Sequence, residues 1–134
     1  MEKLKCLASI GFFGFWGGIS RYLIGLALNF WGTLLVNLLG CFLLALLTYF
    51  WLNFHDIANW LSLGLGTGFI GSFTTFSSFC LDSLRLLESR PLTAIIYLIL
   101  SSGGGLLLAI LGAWLGTYLG KKVKEREEDT DAIN

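Results

Sequence analysis

No charged side chain interrupts the stretch Ile57–Leu81, and three further stretches, about Leu7–Leu28, Gly32–Leu52 and Leu92–Gly120, are nearly as free of charge. An apolar run of about 20 residues, rising 1.5 Å per residue, crosses the hydrocarbon core of a bilayer as a helix. Inside that core every backbone N–H and C=O must find a partner within the protein, so runs of this length leave the chain helices and little else. Composition agrees: 13% of the 134 residues are charged and 55% are hydrophobic, whereas a soluble domain carries about 25% charge. The reading is an all-α, multi-pass protein of the cell membrane with four transmembrane helices, the last overlong and tilted. Trp16, Trp31, Trp51, Trp60 and Trp114 fall mostly near the span ends, where indoles prefer the interface.

The N-terminus, MEKLKCLASIGFF, has the form of a signal peptide, but its apolar run continues past Arg21 to Leu28 and no soluble domain follows. It is read as a retained first helix. Residues 1–120 then form one transmembrane domain, and 121–134, KKVKEREEDTDAIN, a charged, solvated tail with a short helical extension. Four spans place both termini on one side, together with Lys3, Lys5, Lys121, Lys122, Lys124 and Arg126. Arg85, Arg90 and a snorkelling Arg21 lie on the other. The balance leans toward cytoplasmic termini.

Several function classes drop out. The three cysteines, Cys6, Cys41 and Cys80, are widely spaced within apolar segments and form no metal or disulfide framework. His55 sits in a link beside Asp56, and no acid pair or nucleophile set shares a cavity, so the chain is not read as an enzyme. The segment GTYLGKK from Gly116 lacks the spacing and hydroxyl of a phosphate loop. With a formal net charge of zero, no nucleic-acid partner is expected.

Polar groups within the spans are costly and therefore informative. Arg21 is either an interfacial anchor or a vestibule group that draws anions. Asn37 carries two amide donors, and Thr33 lies one turn earlier on the same face. Tyr97, Ser101 and Gly105 share a face of the fourth span, although the Ser101 hydroxyl is as easily bonded back to its own helix. Small-residue pairs such as Gly14 with Gly18, and the series Gly112, Gly116, Gly120, suit close helix packing. In GFIGSFTTFSSF, Gly68, Gly71 and the β-branched Thr74-Thr75 pair weaken the helix at mid-membrane, where open backbone is tolerated only if buried or facing a wet cavity. Carbonyls freed there can hold a cation, and the edges of Phe76 and Phe79 can meet an anion. No carboxylate lies inside a span apart from Asp82 at the edge of the third, which argues against a proton-coupled cation pump.

The stretches GGISRY (Gly17–Tyr22), GTLLVNLLGCF (Gly32–Phe42) and GTGFIGSFTTFSSF (Gly66–Phe79) closely resemble three signatures of the Fluc, or CrcB, fluoride channels. The resemblance covers the length, the four-span layout and most of the chain. It implies an antiparallel, dual-topology dimer with two fluoride pathways along the subunit interface and a structural sodium ion at the centre. By motif position the sodium ligands are the backbone carbonyls of Gly71 and Thr74. The fluoride pathway takes Phe76, Phe79, Asn37, Tyr97 and Ser101, with Ser78 and Thr33 as weaker members, and Arg21 belongs to the vestibule. This sequence departs from the pattern at Ser72, where a second glycine is usual, at Ser78 for threonine, and at Gly105, where many members have a second serine of the polar track.

The function so implied is passive, selective fluoride efflux that lowers cytoplasmic fluoride and confers resistance. Three alternatives stay open at this point: one subunit of a heterodimeric fluoride channel, a non-transporting partner subunit, or a small proton-coupled exporter. The exporter needs an essential carboxylate, and only Asp56, Asp82 and Glu88 are remotely placed. Between homodimer and heterodimer the charge balance is ambiguous.

Overall fold

The computed structural model describes residues 1–54 and 57–131. Its regular secondary structure over that range is all helical: α1 (Glu2–Leu28), α2 (Phe30–Asn53), α3 (Asn59–Leu63), a π-helical turn (Gly64–Ile70), α4 (Gly71–Phe73), α5 (Phe76–Ser89) and α6 (Pro91–Asp131). His55 and Asp56, assigned above to the second link, and the end of the tail lie outside the described residues. Among those residues, α1, α2 and the Pro91–Arg126 part of α6 are each long and apolar enough to cross a membrane unaided. The third crossing is assembled from α3 to α5 and is bent where its helix breaks. The chain is a four-crossing, multi-pass membrane protein, and its outer faces carry exposed Leu, Ile and Phe side chains as lipid requires.

The links are tighter than charge alone suggests. A single residue, Asn29, joins α1 to α2 at φ 52°, a conformation that asparagine tolerates better than most. Its carbonyl accepts from the Gly32 N–H at 2.9 Å, and a Cβ on Gly32 would stand 2.7 Å from the Ile24 carbonyl, so this hairpin closes only with glycine there. The third crossing was expected to end at Leu81, yet α5 runs on to Ser89. The charge-free run stops at Asp82, but the helix continues as an amphipathic one, with Leu86 buried and Arg85 and Glu88 exposed. Arg90 alone links it to α6. Its φ of −147° and ψ of 74° suit a residue before proline, and Pro91 begins α6 where its missing N–H costs nothing.

Glycine sets the helix contacts. Gly112, Gly116 and Gly120 of α6 lie against the backbones of Phe42, Leu46 and Phe50 of α2, turn for turn, so these two helices run parallel. In the same way Gly17 of α1 faces the Phe69 backbone, and Gly68 faces Ile10. Both pairings are the small-residue packing expected where lipid provides no hydrophobic drive between helices. Where α2, α5 and α6 meet, Leu34, Leu86, Ala94 and Tyr97 form a buried cluster, flanked by Phe30, Leu38 and Phe79.

Candidate functional site

The third crossing loses regular α-helix in two steps. First, GLGTGFI (Gly64–Ile70) adopts a π-helical turn, a rare form that frequently marks functional segments. The Ser9 hydroxyl donates to the Trp60 carbonyl at 2.7 Å just ahead of it, and Gly64 and Gly68 let α1 come close. Second, after Phe73 the chain becomes extended, with ψ 158° at Thr74 and φ −151°, ψ 118° at Thr75. The break thus falls on the β-branched pair rather than on the glycines, and Gly71 itself is helical.

A side chain from another helix holds the break open. The Asn37 amide of α2 accepts from the Thr75 N–H at 2.8 Å and donates to the Thr75 carbonyl at 3.0 Å. The Thr75 side chain then caps α5, its Oγ1 accepting from the Ser78 N–H at 3.2 Å while donating to the Ser78 hydroxyl at 3.1 Å. In an unbroken helix the N–H groups of Thr75 and Ser78 would bond the carbonyls of Gly71 and Thr74, four residues back. Both N–H groups are captured by side chains, so both carbonyls are released.

Two cavities meet at Thr75. One, of about 330 Å³, is lined by Arg21, Thr33 and Ser78 together with Tyr22, Gly25 and Gly32. The other, of about 390 Å³, is lined by Asn37, Gly71, Thr74, Phe76, Phe79 and Ser101, with Cys41 and Ser102 at its margin. Phe76 is 77% exposed on the open side of this second cavity, whereas Phe79 is half-buried. Their ring centroids are 6.0 Å apart, and Phe79 stacks on Tyr97 at 5.7 Å.

The sequence that builds this arrangement matches a known family. The family model described as "CrcB-like protein, Camphor Resistance (CrcB)" covers residues 8–113. The chain belongs to the CrcB family. It is 46% identical over 127 residues to "Fluoride-specific ion channel FluC 1" of Lactobacillus delbrueckii subsp. bulgaricus, covering 94% of this chain and 99% of that protein. It is 51% identical over 119 residues to "Fluoride-specific ion channel FluC 2" of Ligilactobacillus salivarius, covering 89% and 91%. A Bacillus cereus relative of the same description as the first is 43% identical over 130 residues, covering 91% and 94%.

Within this CrcB protein the residues singled out from sequence do not form one constellation. Asn37, Phe76, Phe79 and Ser101 share one cavity with Gly71 and Thr74, while Arg21, Thr33 and Ser78 share the other. Tyr97 lines neither: it is fully buried, its ring between Phe30 and Phe79, and its hydroxyl has no hydrogen-bond partner. The Thr33 hydroxyl donates to the Asp82 carboxylate at 2.7 Å. Among the described residues no acceptor takes the Ser101 hydroxyl, whereas Ser83, Ser89 and Thr117 all bond back to their own helices. Gly105 is buried against α2, where a Cβ would stand 3.3 Å from the Cys41 sulfur, so the space for a second track hydroxyl is taken by Cys41. Sequence reading missed Thr75 and the pairing of Asp82. The Thr-x-x-Ser start of α5 is an N-cap signal that could have revealed the first, but nothing local announces the second.

Proposed function

We propose that the chain works as a passive, fluoride-specific ion channel, in which fluoride that has entered the cell as the neutral acid leaks back out. The observation that carries this reading is the clamped break. By taking both backbone polar atoms of Thr75, Asn37 turns the start of α5 so that Phe76 and Phe79 stand on the wall of a cavity that also holds Ser101. One hydrogen of the Asn37 amide is used on Thr75 and the other remains for an anion. Together with the Ser101 hydroxyl and the positive edges of the two phenylalanines, it replaces the hydration shell of a small anion in a narrow path. Arg21, Thr33 and Ser78 form the approach from the side of the first link, where a guanidinium raises the local concentration of anions. Among the described residues neither cavity is lined by a carboxylate or an imidazole, which suits passive transport down the gradient.

The released carbonyls of Gly71 and Thr74 fit a hard cation, which takes oxygen ligands. Both residues line the cavity of the phenylalanines, and Gly71 is exposed. A sodium ion held there supplies fixed positive charge beside the anion route. The same exposure supports a dimer: Phe76 stands 77% open and the carbonyls of one copy offer only part of a coordination shell. A second copy in the opposite orientation would close the cavity and complete the shell. The homodimer is the reading adopted, with a paralogous partner as the alternative.

Proteoliposomes loaded with fluoride and followed with a fluoride electrode test the function. Rapid fluoride release with chloride retained is expected of the purified chain alone. Release of chloride at an equal rate, or no release, would overturn the reading, and activity that needs a second, different subunit would replace the homodimer by the heterodimer.

A further inference from the structure

Two grooves lie far from the break, both on the membrane face that carries the termini. One, of about 450 Å³, is lined by Tyr49 of α2 and by Ala113, Trp114, Thr117, Tyr118 and Lys121 of α6. The other, of about 620 Å³, runs between the start of α1 and α3 and includes Lys5, Phe12, Phe13 and Trp60. Each combines aromatic walls with one lysine at the polar end. The α6 groove is the better defined. Trp114 and Tyr118, one turn apart, stack at 6.3 Å and 14°, and are 67% and 53% exposed. The Lys122 ammonium lies 5.9 Å from the Tyr118 ring centre, so a second cation stands at its rim.

Depth and charge together identify the occupant. Trp114 belongs at the edge of the hydrocarbon. Lys121 comes seven residues later, about 10 Å farther along the axis, and helical side chains lean back toward the N-terminus, here toward the membrane. Its ammonium therefore falls at phosphate level. The Thr117 hydroxyl is engaged with the Ala113 carbonyl at 2.9 Å. Lys121, the Tyr49 hydroxyl and the Trp114 indole N–H remain as donors, and no acid is among the lining residues. In the other groove Lys5 is partly committed to Glu2 at 3.3 Å. We infer that the groove of Tyr49, Trp114, Tyr118 and Lys121 is a binding site for one anionic phospholipid, its acyl chain along the aromatic wall and its phosphate on Lys121 and Lys122.

The test uses the full chain with Trp114 as its only tryptophan, the other four replaced by phenylalanine, in phosphatidylcholine vesicles containing phosphatidylglycerol. Brominating the chains of one lipid or the other and comparing the quenching gives the relative affinity at Trp114. Phosphatidylglycerol should be preferred by at least about fivefold, the advantage that a single one of the two lysines gives at an anionic surface. The preference should shrink toward one in about 0.5 M salt, where the screening length is only a few ångströms. Lys121→Gln with Lys122→Gln should abolish it, and Lys121→Arg with Lys122→Arg should keep it, with circular dichroism confirming that both variants fold. A ratio near one in the parent, or one unchanged in the glutamine variant, overturns the inference. Absence of quenching by either brominated lipid also overturns it, because protein, such as a second copy of the chain, would then cover the groove.

Discussion

Replacing Asn37 by alanine removes both hydrogen bonds that hold Thr75 out of the helix, at 2.8 and 3.0 Å. Side-chain hydrogen bonds between membrane helices contribute about 0.6 to 1.7 kcal/mol each, so the pair is worth about 1 to 3 kcal/mol. The alternative open to the variant is a healed helix in which the Thr75 N–H returns to the Gly71 carbonyl. The loss therefore appears as a shift from broken toward continuous helix of about 5- to 150-fold. Fluoride efflux should fall, by up to that factor through the break and further through the lost anion donor, and the chain should unfold at lower denaturant in detergent. Glutamine should not rescue, because its extra methylene carries the amide past Thr75. The two readouts are needed together. If Asn37 served only as an anion ligand, alanine would slow efflux and leave stability intact, and that outcome would refute the clamp.

The other predictions are more local. Phe76→Ile with Phe79→Ile should suppress fluoride efflux while leaving the chain's assembly unchanged in size-exclusion chromatography, since isoleucine removes the ring edges but keeps both positions apolar. Gly116→Leu would drive a side chain into the Leu46 carbonyl, parting α2 from α6 at a cost of about 1 to 3 kcal/mol, and an unchanged unfolding midpoint in detergent would contradict the packing described. Gly105→Ser should destabilise by about 1 kcal/mol through its contact with Cys41, and Cys41→Ala in the same chain should restore the midpoint.

The crossings were legible because charge is so costly in lipid that its absence over a long run outweighs every other signal. The same signal did not announce how far the third helix runs beyond the apolar stretch. Asp82 ends the charge-free run, but α5 continues to Ser89 with Leu86 inward and Arg85 and Glu88 outward. The small-residue spacing of Gly112, Gly116 and Gly120 pointed to close packing without naming the partner helix, and α2 supplies it. The break was legible as a region, from glycines followed by Thr74-Thr75, but its form was not. That form depends on Asn37, which sequence presents simply as an amide with two donors inside a span.

The polar groups of the crossings mostly satisfy one another. Asn37 is bound to Thr75, Thr33 to Asp82, Ser9 to Trp60, and Thr74 to the Ile70 carbonyl. Each pairing removes a candidate that sequence alone would count as free. Among the described residues, the groups left open include the Ser101 hydroxyl, the second Asn37 hydrogen, the Tyr97 hydroxyl, and the carbonyls of Gly71 and Thr74. Groups left open in a medium without water are costly unless a ligand completes them. All except Tyr97 line one cavity, with donors suited to an anion and acceptors suited to a cation in the same wall. A pore that must strip water from a small anion needs that juxtaposition, because donors favour the dehydrated ion and a nearby fixed cation offsets the cost of bringing its charge into lipid.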